Sequence, residues 1–306
     1  MSVIGFDTSN YTTSIAYLDG EKGLNVSQLL PVREGELGLR QSDAVFHHTK
    51  SLPELSGRLF SHTDLGAITA VGVSTRPRAV EGSYMPCFMV GYSHAKLLAD
   101  ALNVPLVECS HQQGHIAASL WSAGRLELMD MPHLAWHLSG GTTELLLVSP
   151  NGKNVTCECI GGTSDISAGQ LIDRTGQMLE LPFPAGKHLD ALWQEAKNTD
   201  VFRVKCPQMT FSLSGVQNKV AAYYEKCNHR AETAAYALRC VSYAVLTATK
   251  NALKEYPGLP VVFSGGVASN SMLRQILAPL NLIFSQPQYS TDNAMGVAVL
   301  TQRMQE

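Results

Sequence analysis

The sequence predicts a mixed α/β protein built from two duplicated halves, and three observations lead there. Residues 3–7 and 13–18 read as apolar strands joined by the polar turn Thr8-Ser9-Asn10-Tyr11-Thr12. About 130 residues later the same order returns: a strand over 134–138, the turn Ser139-Gly140-Gly141-Thr142-Thr143, and a strand over 144–148. Finally, a strand over 260–264 runs into Gly265-Gly266 and then a helix over 268–280. That strand-glycine-helix order turns backbone N–H groups toward an anion such as a phosphate.

The remaining elements follow from period and punctuation. Residues 70–74 and 105–108 read as short buried strands, and 84–102 and 111–124 as helices. A helix over 166–180 stops near Pro182 and Pro184, and another follows over 186–197. The longest helix covers 231–255, where Ala234, Leu238, Val241, Val245, Ala248 and Ala252 form one apolar stripe facing a core. A last short strand and helix close the chain.

Composition narrows the class. With 306 residues, 45% hydrophobic, 16% charged and 25 glycines, the chain can bury a large core and is not disordered or fibrous. Its apolar stretches are broken well before the roughly 18 residues a membrane span requires. Residues 1–20 lack a basic segment followed by an apolar one, so a soluble cytoplasmic protein is expected, with no membrane partner. Seven scattered cysteines argue for reduced thiols, and the close pair Cys157 and Cys159 for packing rather than a structural zinc. A net charge of −3 gives no general footprint for nucleic acid, so any RNA contact is local or shared with a partner. Arg76 and Arg78 are one such local candidate for an anion or RNA, although an exposed polar loop is their favoured reading.

Three turns at strand ends, 7–13, 139–143 and 264–270, carry the glycines or hydroxyls a phosphate needs for close backbone approach. Together, on a duplicated hairpin scaffold, they resemble the actin-like and sugar-kinase-like ATPase fold. His111 and His115 stand four apart, which on a helix puts both imidazoles on one side, able to share a divalent cation. His133 and His137 repeat the spacing in a probable strand. Asp292 is the acidic candidate for a third ligand; a helix N-cap is its other reading.

At these residues a family becomes recognisable. Gly5-Phe6-Asp7-Thr8-Ser9, His111-x-x-x-His115, Ser139-Gly140-Gly141-Thr142-Thr143, Ala168-Gly169-Gln170-Leu171-Ile172-Asp173, Phe211-Ser212-Leu213-Ser214-Gly215, Gly265-Gly266-Val267-Ala268-Ser269-Asn270 and Ser290-Thr291-Asp292-Asn293 follow one another along nearly the whole chain. In this order they resemble the TsaD/Kae family of tRNA threonylcarbamoyladenosine synthesis, once called glycoprotease or O-sialoglycoprotein endopeptidase. The resemblance implies an α/β actin-like ATPase (ASKHA) fold. Its two duplicated lobes would be residues 1–130 and 131–306, with a nucleotide cleft between them and the last helix able to pack back on the first lobe. His111, His115 and Asp292 would bind one divalent metal, iron, zinc or manganese. Ser139, Gly140, Gly141 and Thr142 would line the phosphates of an ATP- or AMP-type nucleotide. Asp173, Gly186, Gly265, Gly266 and Asn270 would hold its nucleoside. The implied activity is an acyl transfer: threonylcarbamoyl passes from its adenylate to the N6 amine of a tRNA adenosine beside the anticodon, with an actin-like paralogue and a small ATPase as protein partners.

The chain departs from the family pattern at several polar positions. A family carboxylate is replaced by Thr12, a histidine by Thr142, and a lysine by Gln217; Ile166 and Gln170 stand where the pattern is Asp-Asp-Ala-Ala-Gly-Glu. Losing a general base commonly costs about 10²- to 10⁴-fold in rate. The alternative expectation is therefore a catalytically impaired paralogue that binds ATP and a partner protein as scaffold or regulator. A peptidase is disfavoured, because Gln112 follows His111 where the H-E-x-x-H proteases carry their general base. A sugar kinase lacks an identifiable hydroxyl-activating aspartate.

Overall fold

The structure, a computed structural model, describes residues 1–31 and 39–305. In chain order the elements begin β1 (Ser2–Thr8), β2 (Thr12–Asp19), β3 (Lys22–Leu29), α1 (Gln41–Phe60), β4 (Ile68–Arg76), α2 (Phe88–Leu102), β5 (Leu106–Ser110) and α3 (His111–Ser122). They continue with β6 (His133–Leu138), β7 (Thr143–Asn151), β8 (Asn154–Thr163), α4 (Ala168–Met178), α5 (Gly186–Leu192), β9 (Thr210–Phe211) and α6 (Ser214–Cys227). The last are α7 (Arg230–Glu255), β10 (Val261–Ser264), α8 (Ser271–Leu277), β11 (Ile283–Phe284) and α9 (Met295–Arg303).

One sheet has the order β3-β2-β1-β4-β5 and the other β11-β10-β6-β7-β8-β9. In each, a hairpin (β1/β2, β6/β7) is antiparallel and its first strand then pairs in parallel with a later one (β4, β10). The run β3-β2-β1-β4-β5 is thus matched by β8-β7-β6-β10-β11, which is the duplication read from the two hairpins. Contacts divide the chain into one unit of Met1–Met131, Ser149–Cys157 and Asp292–Glu306, and another of Pro132–Val148 and Glu158–Thr291. These units are not contiguous halves. The β7/β8 tip and the segment holding α9 cluster with the first unit: Gln113 of α3 donates to the Val155 carbonyl at 2.7 Å, and Gly5 of β1 lies against the α9 backbone.

In the first unit β1 is buried along its whole length. Its alternate residues therefore serve two layers. Ile4 and Phe6 enter a core with Ile15, Leu52, Leu55, Leu59 and Ala95, drawn from β2, α1 and α2. Gly5 faces the other way, where a side chain would collide with the Ala298 backbone nitrogen of α9 at 2.6 Å. Asp7 shares that second face, and so is directed toward the α3 and α9 layer. The start of α3 is fixed by a capping box: Ser110 accepts from the Gln113 N–H at 3.2 Å while Gln113 accepts from the Ser110 N–H at 2.9 Å. Ser110→Ala is expected to cost about 1 kcal/mol, checked by urea unfolding.

In the second unit α7 buries the whole predicted stripe, Ala234 to Ala252. Its Thr249 hydroxyl accepts the Trp136 indole N–H at 2.9 Å, and Trp136 stacks on Phe263 of β10 with ring centroids 6.2 Å apart. Several boundaries differ from expectation. The helix expected from residue 84 begins at Phe88, after Pro86. The helix expected over 268–280 is broken at Asn270, whose extended backbone caps α8. Five elements escape the sequence reading: β3, α1, β8, β9 and α6. Pro53 and buried His48 interrupt the periodicity of α1, and β3 is mostly exposed with no apolar face to read. Cys87, Cys109, Cys206, Cys227 and Cys240 form no disulfide, and Cys157 and Cys159 lie on β8. Among the described residues no helix is long and apolar enough to cross a membrane.

Candidate functional site

The first unit gathers a cluster of metal-binding character. His111 opens α3 and His115 lies one turn on; Asp292 stands three residues before α9. Their ligand atoms all fall within 4.8 Å of one another, the one such group of three or more among the described residues. His115 Nε2 is 2.9 Å from His111 Nε2 and 3.1 Å from Asp292 Oδ1, and His111 Nε2 is 3.5 Å from that same oxygen. Asp292 does not cap α9; Asn293 Oδ1 instead accepts the Met295 N–H at 3.1 Å. His133 and His137 do not form part of such a cluster.

Behind these three residues lies a layer the sequence reading did not single out. Asp7 Oδ1 accepts from His111 Nδ1 at 3.0 Å and from the Ser74 hydroxyl. Ser9 donates to Asp292 Oδ2 at 3.1 Å. A proton held on His111 Nδ1 by Asp7 leaves Nε2 with its lone pair turned toward His115 and Asp292, the arrangement in which a carboxylate orients a metal-ligating imidazole. Asp7 is fully buried and its Oδ2 has no hydrogen-bond partner. Burial alone would lower the His111 pKa, but the facing Asp7 and Asp292 carboxylates outweigh it and push the imidazole up to about 10. Asp292 is disfavoured as an anion by burial, yet His111 and His115 hold it well below the usual carboxylate range. Two carboxylates around two imidazoles thus favour a positive charge at their centre. Two nitrogens, one oxygen and that field fit a divalent transition metal.

The nucleotide candidates all lie in the second unit. Ser139 and Thr142 close a tight turn: the Ser139 N–H donates to the Thr142 carbonyl at 2.8 Å and the Thr142 N–H to the Ser139 hydroxyl at 3.1 Å. Between them Gly140 and Gly141 have open space where a Cβ would stand. Gly265 has φ +91°, and a side chain there would meet the Leu138 carbonyl at 2.2 Å, so the turn after β10 admits only glycine. Asp173, raised in pKa by burial, accepts the Ala185 N–H at 2.8 Å, next to Gly186 at the first position of α5. Gly266 opens the turn that ends at Asn270. Asn270 is committed locally: its Oδ1 caps α8 and its Nδ2 donates to Asp190 at 2.7 Å.

The departures from the family pattern have structural partners of their own. Gln170 completes a capping box with Ser167 at the start of α4, a role glutamine fills as glutamate does. Ile166 packs on the core of the second unit, and Gln217 accepts from Arg174 at 2.7 Å. Thr12 is buried at the start of β2. Asp165 is pulled down in pKa, against its desolvation, by the hydroxyls of Ser212 and Ser214 and the amides of Leu213 and Ser214.

Two duplicated sheets of this topology define an actin-like ATPase fold. A solved full-length HypF in its phosphate- and nucleotide-bound form superposes with a TM-score of 0.65 at 15% identity, over 100% of this chain and 46% of that one. In sequence, a tRNA N6-adenosine threonylcarbamoyltransferase from Carboxydothermus hydrogenoformans is 32% identical over 311 residues, and one from Streptococcus suis (strain 05ZYH33) 31% over 315. Each alignment covers 97% of this chain and 90% of the relative. The pattern of the TsaD family, tRNA N6-adenosine threonylcarbamoyltransferase, matches residues 36–299. The chain belongs to the TsaD family, and hence to a family of tRNA-modifying transferases.

Proposed function

We propose that this chain transfers a threonylcarbamoyl group from its adenylate to the N6 amine of a tRNA adenosine beside the anticodon. It would act in the cytoplasm, together with an actin-like paralogue and a small ATPase. The observation that carries this reading is the convergence of His111, His115 and Asp292, with Asp7 behind them, in a member of the TsaD family. A divalent ion held by these three residues would neutralise the adenylate phosphate and polarise the carbamoyl carbonyl. The chain's own groups prepare that position: Asp7 holds a proton on His111 Nδ1, and Ser9 occupies the outer oxygen of Asp292, so that Nε2 and Oδ1 stay available. In the second unit, Gly140 and Gly141 allow a phosphate to approach the backbone N–H groups, with Ser139 and Thr142 closing the turn. Asp173 would accept from ribose hydroxyls, and Gly186, Gly265, Gly266 and Asn270 would border the nucleoside.

The replaced positions favour a second reading. Ile166, Gln217 and Thr12 are built into packing or hydrogen bonds in place of the family's polar groups, as in a protein that binds nucleotide and a partner without transferring. Purified protein supplied with metal, adenylate, unmodified tRNA and the family partners is expected to form threonylcarbamoyladenosine, detected by mass spectrometry of the digested tRNA. No product from the metal-loaded protein, together with product from the Thr12→Glu, Thr142→His variant, would transfer the assignment to the second reading.

A further inference from the structure

Segment 198–208 of the second unit has almost no regular secondary structure, yet it is firmly held. It runs along α7. Arg239 donates to the carbonyls of Asn198 at 2.6 Å and Asp200 at 2.9 Å, and the Phe202 N–H donates to Cys240 Sγ at 3.3 Å. Further on, Asn251 donates to the Cys206 carbonyl at 3.3 Å. On the other flank, Tyr223 of α6 donates to Asp200 at 3.3 Å. The strap is therefore anchored along about three turns of α7.

Pinning the backbone in this way presents its cations. Arg203 lies flat over the Tyr243 ring, its guanidinium carbon 3.3 Å from the centroid, and Lys219 stands 5.5 Å above Phe202. Arg203, Lys205, Lys219 and Lys250 are exposed, and Phe202 keeps 38% of its surface. Among the described residues none of these cations, nor Arg239, takes part in an ion pair. Asp200 is the one carboxylate on the strap, and it is occupied by Tyr223. A chain with 23 basic and 26 acidic residues thus sets five unpaired cations together with two aromatic rings on one face.

We infer that this strap is a surface for the backbone of an RNA strand, the local contact that an overall acidic chain requires in order to hold tRNA. The inference rests on the tRNA-modifying reading above. Cations outside any ion pair, spread along the strap and the two helices beside it, match a row of phosphates, and the Arg203 guanidinium and a part-exposed ring offer faces for unpaired bases. An acidic protein surface would match the charge but would have no use for those flat faces.

The test is titration of unmodified tRNA against the full-length protein, followed by fluorescence anisotropy over a range of salt. In Arg203→Glu, Lys219→Glu protein the slope of log K against log salt is expected to fall by about 1.4–1.8, two phosphate contacts at roughly 0.7–0.9 each. Binding should weaken alike for different tRNA sequences. Arg58→Glu, on α1, is expected to leave both affinity and slope unchanged. The hydrogen bonds that hold the strap, from Arg239, Asn251 and Tyr223 and to Cys240, are untouched, so metal binding should match wild type and unfolding midpoints should shift only slightly. Unchanged slope and affinity in the double variant, with wild type binding tRNA normally, would overturn the surface and leave the tRNA reading intact. Loss of binding to polyglutamate with tRNA binding retained would overturn it in favour of an acidic protein. Wild-type protein that neither binds nor modifies tRNA with every partner present would remove the reading itself and this surface with it.

Discussion

Gly296→Ala is expected to destabilise the protein by about 3 kcal/mol or more, at or above the upper end of overpacking penalties. A Cβ at that position would stand 1.8 Å from the Gly114 carbonyl oxygen and 2.8 Å from the Ala118 nitrogen. Both are backbone atoms of α3, so no side chain can swing aside, and α9 must move away from α3 as a whole. The damage should extend beyond stability, since α3 carries His111 and His115 while Asp292 leads into α9. Urea unfolding should show the lost stability, and equilibrium dialysis should show weakened metal binding in the same variant. Gly57→Ala in α1 is the contrast: nothing lies within 4 Å of the added methyl, and the helix should gain about 0.5–1 kcal/mol. Equal effects of the two substitutions would contradict the close helix crossing.

Substitutions at the His111, His115 and Asp292 cluster and at Asp7 behind it should grade metal affinity by whether a donor atom or only its support is removed. Asp7→Asn keeps an oxygen for His111 Nδ1 but deletes the buried negative charge, and is expected to weaken zinc or manganese binding about 10- to 100-fold. His115→Ala and Asp292→Ala remove donor atoms outright and should weaken it further than that. Equilibrium dialysis with metal analysis measures all three, with circular dichroism to confirm that each variant is folded. Affinity in Asp292→Ala equal to wild type would mean that the ion, if bound, sits elsewhere.

The extent to which this molecule could be read from its sequence follows the range of each interaction. The α7 stripe and the two hairpins are local patterns, repeated within a few residues, and they were legible. The pair His111 and His115 was legible for the same reason, one helical turn, whereas Asp292, 177 residues beyond His115, could be named only as a candidate beside its reading as a helix N-cap. Asp7 was not legible as their support, because its partner is 104 residues away and an aspartate ending an apolar strand has many readings. Ser74 and Ser9 are equally silent until β4 is placed beside β1 and the hairpin tip beside Asp292. The strap at 198–208 has no period at all, and only the side chains of α6 and α7 reveal what it presents. Where the family resemblance leads one to expect another residue, the coordinates show what the residue present does, as Gln170 does in its capping box.

The first unit is completed by a helix synthesised after the entire second unit. Until α9 leaves the ribosome, Gly5 of β1 lacks the helix that packs on it, and His111 and His115 lack Asp292 beside them. Folding of this unit therefore waits until the second unit has been synthesised, and a nascent chain must meanwhile keep a partly covered sheet from sticking to its neighbours. A metal held by His111, His115 and Asp292 would then report that α9 has been made and has folded onto the first unit.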